Sequence, residues 1–83
     1  MIRKKMTGES GISYIVTLIT RGNREYIYYE VKDVKDYLSA IVMSVDLKKP
    51  LYIIDFINSN DNEIESIREH IVKSGGIIVK KEM

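Results

Sequence analysis

Residues 51–81 read LYIIDFINSNDNEIESIREHIVKSGGIIVKK, and they predict a strand, a helix and a second strand. The run 51–57 is almost continuously apolar, which is typical of a strand that is covered on both faces. Asn60 and Glu63 have the spacing of a capping box at the start of the helix, and Ser-Gly-Gly at 74–76 suits its end. Two strands joined by a helix in so short a segment are expected to be parallel, with a right-handed crossover.

A β-hairpin is predicted before this unit. Residues 12–20 and 24–31 are rich in β-formers, and Gly22-Asn23 between them suits a two-residue turn. The turn sets a register whose apolar pairs are Leu18 with Ile27, Val16 with Tyr29, and Tyr14 with Val31. On the opposite face, the same register places Ile15, Ile19, Tyr26 and Tyr28. That face is more apolar than a face open to water usually is, so it is a candidate interface.

A first helix is predicted between the hairpin and the third strand. Asp33 is a suitable N-cap, and Asp36 in the first turn suits the helix dipole. Six apolar residues repeat at a spacing of three and four and predict one buried stripe, with Met43 outside it. They are Val34, Tyr37, Leu38, Ile41, Val42 and Val45. Pro50 then returns the chain to an extended conformation.

The predicted order of elements is β-β-α-β-α-β, an α/β fold close to the α+β class. An N-terminal antiparallel hairpin joins a parallel βαβ unit, which gives a four-stranded mixed sheet of order 1-2-3-4 with two helices. If both crossovers are right-handed and move the same way, both helices lie on one face and the fold has two layers. Helices on opposite faces would give three layers. Residues 1–83 are expected to form a single domain, with 1–11 as a loose, basic N-terminal leader.

Composition narrows the classes of function. Hydrophobic residues make up 45% and charged residues 30% of the 83, as in globular chains. The formal net charge of +1 offers no global attraction for nucleic acid or an anionic membrane. The chain has no cysteine, which suits the cytoplasm, and nothing in it implies a cofactor. Isoleucine outnumbers leucine by 14 to 4, a bias that suggests a low-GC bacterium, its phage or another mobile element.

The first interpretation is a small, non-catalytic module for protein interaction or regulation, which forms a homodimer or binds another protein. The chain has six tyrosines against one phenylalanine and no tryptophan, and tyrosine suits half-exposed positions in interfaces. The expected interface consists of Ile15, Ile19, Tyr26 and Tyr28 on the outer face of the hairpin. A small domain also gains stability when a partner covers a leftover apolar face.

An alternative function is nucleic-acid binding. Arg21 and Arg24 flank the hairpin tip beside two tyrosines, and cations with aromatic neighbours can hold phosphates and stack on bases. The basic residues Arg3, Lys4 and Lys5 would add to this surface. The arginines also have a simpler explanation, since charges at a hairpin tip prevent wrong pairing of an edge strand.

A second alternative is a minimal or degenerate nuclease. The tripeptide Glu30-Val31-Lys32 resembles the Glu-x-Lys of α/β nucleases of the restriction-endonuclease type, whose carboxylates bind Mg²⁺ and whose lysine assists the attacking water. The resemblance makes Glu30 and Asp55 the candidate metal ligands, provided that they share one face of the sheet. The chain departs from the pattern, because no aspartate precedes the tripeptide. No residue is therefore assigned a catalytic role.

Asp55 also precedes the polar loop 58–62 at the carboxyl end of a strand, where open α/β sheets bind ligands. The loop is rich in asparagine and could supply polar contacts to such a ligand. Helix capping and turn formation explain the same residue types without a ligand.

Overall fold

The computed structural model describes residues 1–82, within which it has five strands and two helices. In chain order they are β1 (Ile2–Thr7), β2 (Ser13–Arg21), β3 (Arg24–Val31), α1 (Val34–Leu47), β4 (Leu51–Asp55), α2 (Asn62–Lys73) and β5 (Ile77–Lys80). The strands form one sheet of order β1-β2-β3-β4-β5. The first three strands are antiparallel, whereas β3, β4 and β5 are parallel. The predicted mixed sheet with two helices is confirmed.

The expected loose leader over 1–11 is wrong, and so is the predicted count of four strands. Residues Ile2–Thr7 pair with β2 in antiparallel register and form an edge strand of the sheet. Met6 packs against the main core, which gives the strand an apolar anchor. Three consecutive basic residues make this segment resemble an unstructured one when only composition is considered, although charges are a normal feature of edge strands. In the turn after it, a Cβ at Gly8 would displace the Asp46 carboxylate.

The predicted hairpin register is confirmed over the paired residues of β2 and β3. Leu18 pairs with Ile27, and Arg21 pairs with Arg24. Gly22 has a φ of 62°, the left-handed conformation that a tight hairpin turn requires and that glycine adopts at no steric cost. The turn therefore decides which side chains of β2 and β3 share a face.

Both helices pack against the same face of the sheet and build the main core there. From the helices it receives Tyr37, Ala40, Met43, Ile64 and Ile71, and from the strands Val16, Leu18, Ile27, Val31, Leu51 and Ile53. Asp33 caps α1 as predicted, since its carboxylate accepts a hydrogen bond from the Asp36 amide. In the described chain, neither helix is long and apolar enough to cross a membrane.

The buried side of α1 differs from the predicted stripe. Tyr37, Ala40 and Met43 are buried, so Met43 belongs to the core rather than outside it. Leu38, Val42 and Val45, which the stripe placed in the core, are 51%, 62% and 69% exposed. Apolar residues occur around most of this helix. The small side chain of Ala40 lets the helix backbone approach the sheet on the side opposite Leu38, Val42 and Val45. The helix is therefore rotated relative to the prediction.

The start of α2 also differs slightly from the predicted capping box. The N-cap is Asp61 rather than Asn60, and its Oδ1 accepts a hydrogen bond of 2.9 Å from the Ile64 amide. Both residues are good cap formers, so the spacing to Glu63 alone could not distinguish them. At the other end, Gly75 has a φ of 92° and turns the chain into β5.

Candidate functional site

Asp55 ends β4 and is fully buried on the helix side of the sheet. Its Oδ2 accepts hydrogen bonds from Arg68 Nε at 2.8 Å and from the Tyr37 hydroxyl, and its Oδ1 accepts one of 2.8 Å from the Ile57 amide. Arg68 donates further bonds to the Ile57 carbonyl, at 3.2 Å, and to Glu65. Among the residues 1–82, every buried side-chain nitrogen and oxygen has a hydrogen-bond partner. The network is therefore satisfied within the chain, because Asp55 is fully buried and each of its oxygens accepts a hydrogen bond from another residue.

The charges of this network are fixed by its hydrogen bonds. Burial alone would raise the pKa of Asp55, but the bonds from Arg68, Tyr37 and the Ile57 amide outweigh it and bring the pKa below its usual value. Burial and the bond to Asp55 raise the pKa of the Tyr37 hydroxyl. Burial disfavours the Arg68 cation, yet its bonds to the carboxylates raise its pKa above the ordinary value. At neutral pH the three groups are an anion, a neutral phenol and a cation, which suits a structural ion pair rather than a catalytic base.

The loop 58–62, a candidate ligand site beside Asp55, is used for internal contacts. Asp61 caps α2, and Asn60 Oδ1 accepts a bond of 3.2 Å from Arg68 Nη1. The Ser59 carbonyl accepts a second bond from the same nitrogen, at 3.3 Å. The structure thus gives these polar residues roles in holding Arg68 and starting α2.

Glu30 and Asp55 lie on opposite faces of the sheet. Glu30 accepts a hydrogen bond of 3.0 Å from the Tyr28 hydroxyl on the face without helices, whereas Asp55 shares the helix side with Leu51 and Ile53. One ion cannot bind both carboxylates in this arrangement, so the shared-metal geometry of the nuclease hypothesis does not form. No group of three histidine, cysteine, aspartate or glutamate side chains is placed to hold a metal within the described residues.

The face of the sheet that neither helix covers is named the open face. Its apolar and aromatic members are Ile15, Ile19, Tyr26, Tyr28, Tyr52, Ile54, Phe56, Ile77 and Val79. Its charged members are Arg3, Lys5, Arg21, Arg24 and Glu30. The four residues of the expected interface all belong to this face, together with residues of β4 and β5 that sequence reasoning left unplaced.

Three tyrosines form the centre of the open face. The ring of Tyr52 lies between Tyr26, which meets it edge-on at a centroid distance of 6.3 Å, and Tyr28, which is stacked at 6.4 Å. Tyr26 and Tyr52 are only 6% and 8% exposed, while Tyr28 is half-buried. Ile15 lies farther out on β2 and is 61% exposed. Tyr28 therefore offers the accessible ring of the cluster.

The two arginines of the hairpin tip cover the tyrosines. The guanidinium carbon of Arg21 lies 5.4 Å from the ring centroid of Tyr52, and that of Arg24 lies 5.6 Å from the centroid of Tyr26. Both arginines remain exposed, so their outer N–H groups can still donate to a ligand. Cation–π contacts of this kind hold a guanidinium in place without neutralising its charge.

The edge strand β1 adds two more cations to the same face. Arg3 pairs with Thr17 and Lys5 with Ile15, so both side chains lie on the open face. Lys4 pairs with Val16 and lies on the helix side, which separates it from the cationic surface that the sequence suggested. The open face then holds four cations and one carboxylate, although the whole chain has 13 basic and 12 acidic residues. Folding therefore segregates the charge.

The sequence predicts β4 as a strand but not which of its sides faces the helices, because both sides are apolar. One signal could have decided this. Arg68 lies at helical spacing between Ile64 and Ile71, on the buried side of α2. A buried arginine needs a buried carboxylate, and Asp55 is the acidic residue of the neighbouring strand. This places Asp55 on the helix side and Tyr52 on the open face.

Comparison with known proteins finds no family model, no curated protein and no solved structure that matches the chain.

Proposed function

We propose that this protein is a non-enzymatic binding module whose open face holds single-stranded nucleic acid. The observation that carries the proposal is the segregation of Arg3, Lys5, Arg21 and Arg24 onto one face with an aromatic centre. Cations that contact phosphates, combined with rings that stack on bases, are the usual means of binding unpaired strands.

The contacts available on the open face suit both parts of a nucleotide. The strands β1, β2 and β3 are neighbours at about 4.8 Å, so their cations are close enough to follow a flexible phosphate backbone. Arg21 and Arg24 have planar forks that bind phosphate oxygens and stack on bases. The half-buried ring of Tyr28 offers a second stacking surface. A duplex would use the cations but would leave the rings unused, because its bases are already stacked.

Self-association through the open face fits its charges less well. A two-fold axis over this face would set four cations of one copy against four of the other, with only Glu30 on each side to offset them. Like charges held close together cost energy when they are removed from water. If the chain forms the homodimer that the sequence suggests, we therefore expect the contact to lie on another surface.

An acidic protein segment is the second candidate ligand for the open face. The observation that favours it is Ile15, which is 61% exposed beside Lys5 and has no role in a phosphate contact. Apolar and cationic groups side by side suit a peptide that carries both acidic and apolar residues.

The salt dependence of binding tests the first candidate. Fluorescence anisotropy of a labelled, mixed-sequence single strand would measure affinity over a series of salt concentrations. If the four cations each contact one phosphate, the slope of log K against log salt should be about −2.8, since each contact to a single strand contributes about −0.7. The double variant Arg21→Ala, Arg24→Ala should flatten the slope by about 1.4.

A matched control removes two cations from the helices. Lys35 and Lys73 are exposed on α1 and α2, so Lys35→Ala with Lys73→Ala makes the same change in net charge away from the open face. This control should keep the slope of the wild type. Equal flattening in both double variants, or no binding at low salt, would refute the proposal. Binding of a polyglutamate peptide without binding of the oligonucleotide would favour the second candidate.

A further inference from the structure

We infer that a hollow between the C-terminal ends of α1 and α2 is a binding site for a phosphate monoester. The hollow has a volume of about 250 Å³ and lies at the end of the sheet where β4 begins. Three of its six lining residues are basic and none is acidic. It is named the cationic hollow, and it is lined by Arg24, Ser44, Lys48, Lys49, Pro50 and Ser74. The inference goes beyond the proposed function, because Arg24 is the one lining residue that also belongs to the open face.

Arg24 is held at the rim between the open face and the cationic hollow. Its guanidinium carbon lies 5.6 Å from the ring centroid of Tyr26 on the open face. The same guanidinium lies against the turn after α2, where a Cβ at Gly75 would be 3.3 Å from each Nη atom. Within residues 1–82, Arg24 takes part in no ion pair. A guanidinium that is fixed by packing and has no carboxylate partner keeps N–H donors for an anion.

Lys48 occupies a strained position at the end of α1. It is the C-cap of the helix with a φ of 56°, and no other non-glycine residue of the described chain has a positive φ. Glycine is usual at such a position, because a Cβ is unfavourable there. Strained backbone of this kind is found most often at functional sites. The partner of Lys48 is Glu9, at 2.8 Å, and the two side chains are 71% and 67% exposed, so a bound anion can replace this weak pair.

Lys49 is the most enclosed of the three cations. Its side chain is 25% exposed, and its Nζ lies 2.8 Å from Oε1 of Glu25, which is not part of the lining. The hydrogen bond from Lys49 lowers the pKa of Glu25, so this carboxylate is charged at neutral pH. The three cations and their two glutamate partners therefore leave a net charge of +1. A phosphate monoester carries about −1.5 to −2 charges at pH 7 and gains more from this field than a diester, which carries one.

The carbonyl groups at the two helix ends oppose an anion only weakly, because they accept hydrogen bonds within the chain. The Ser44 hydroxyl donates to the Lys49 carbonyl, and the Ser44 carbonyl accepts from the amides of Lys48 and Lys49. The hydroxyl and the amide of Ser74 both donate to the His70 carbonyl, at 2.8 Å and 3.0 Å. Satisfied carbonyls weaken the negative end of a helix dipole. Since both hydroxyl groups are used in this way, the cations supply the contacts to the phosphate.

A matched pair of small ligands tests the charge of the group that the cationic hollow binds. In an NMR titration at constant ionic strength, methyl phosphate should give saturable shifts of the amide signals of Lys48, Lys49 and Gly75. Dimethyl phosphate has the same central group with a single charge and should bind several times more weakly. The absence of a saturable shift with methyl phosphate, or equal affinities for the two ligands, would overturn the inference.

The phosphate monoester has two possible sources, the end of a nucleic-acid strand or a small phosphorylated molecule. One oligonucleotide with and without a 5′-phosphate distinguishes them. A gain in affinity from the 5′-phosphate assigns the hollow to strand ends, whereas binding of methyl phosphate without such a gain assigns it to a small molecule. If neither oligonucleotide binds, the proposed function fails, while the titration with methyl phosphate still decides the inference about the hollow.

Variants of the two lysines locate the site. The double variant Lys48→Gly, Lys49→Ala should weaken methyl phosphate binding by about tenfold. The control Lys32→Ala, Lys35→Ala makes the same change in net charge near the start of α1, where both lysines are exposed, and should bind as the wild type does. Lys48→Gly alone should weaken binding by about threefold and raise the urea midpoint, because glycine relieves the strain at a positive φ. Equal losses in the two double variants, or unchanged affinity in Lys48→Gly, Lys49→Ala, would overturn the inference.

Discussion

Asp55, Arg68 and Tyr37 form a buried network at the end of β4 that holds α2 against the sheet. Removing one partner of a buried ion pair leaves the other charge without compensation, which costs about 3–5 kcal/mol. Replacing the whole pair by apolar groups often costs much less, so the pair adds little net stability. This is a structural role for a residue whose position at a strand end also suits ligand binding.

The first prediction at this scale concerns the stability of single variants. Asp55→Asn should lower the free energy of unfolding by about 3–5 kcal/mol, because it removes the buried carboxylate and leaves Arg68 only the half-exposed Glu65 as a counter-charge. Tyr37→Phe removes one hydrogen bond to the carboxylate and should cost about 1.5–3 kcal/mol. Urea unfolding followed by circular dichroism measures both. Glu63→Gln, on the exposed side of α2, is the control and should stay within about 0.5 kcal/mol of the wild type.

The second prediction concerns pH. The pKa of Asp55 is lower in the folded chain than in the unfolded chain, so the unfolded state binds more protons as the solution becomes acidic. The contribution of Asp55 to stability is therefore present above the unfolded pKa of about 3.9 and is lost as pH falls through the folded pKa. Urea midpoints measured below about pH 5 should fall more steeply for the wild type than for Asp55→Asn. Parallel curves for the two proteins would contradict the ion pair.

Among the elements, the register of the hairpin was predictable from the sequence, but the side of α1 that faces the sheet was not. Gly22 fixes the turn, and the turn fixes the register of β2 and β3. In α1, apolar residues cover so much of the surface that periodicity alone does not show which side meets the sheet. The edge strand β1 was missed because its charges resemble a disordered segment, while the alternation that places Met6 inward is short. Tertiary packing decides both cases.

The element-scale prediction concerns the junction of α2 and β5. A Cβ added at Gly76 would lie 2.6 Å from Ile71 Cγ2 and 2.9 Å from the Ile71 carbonyl oxygen. The backbone oxygen cannot move without shifting the end of α2, so Gly76→Ala should lower the free energy of unfolding by about 1–3 kcal/mol. Urea denaturation of the wild type and of Gly76→Ala would measure this difference in the free energy of unfolding. Ser66→Ala, in the exposed middle of α2, serves as the control, and equal stabilities of the two variants would contradict the close approach.

Across the whole molecule, the sheet separates a cationic face from the helix side. The net charge of +1 conceals this separation, because it depends on the pairing of β1 with β2 and on the alternation of each strand. The sequence identified Arg21 and Arg24 and the outer residues of the hairpin as candidates. It could not place Tyr52 among them, since both sides of β4 are apolar and only the burial of Asp55 decides its orientation.

The most direct measurement of the proposed function is an NMR titration of the arginine Nε–Hε signals with a single-stranded oligonucleotide. The four arginines provide their own comparison, because Arg3, Arg21 and Arg24 lie on the open face and Arg68 is buried on the other side of the sheet. The proposed function predicts that the signals of the three open-face arginines shift with increasing oligonucleotide while that of Arg68 stays in place. Signals that do not move at low salt, or a response confined to Arg68 and the helices, would contradict it.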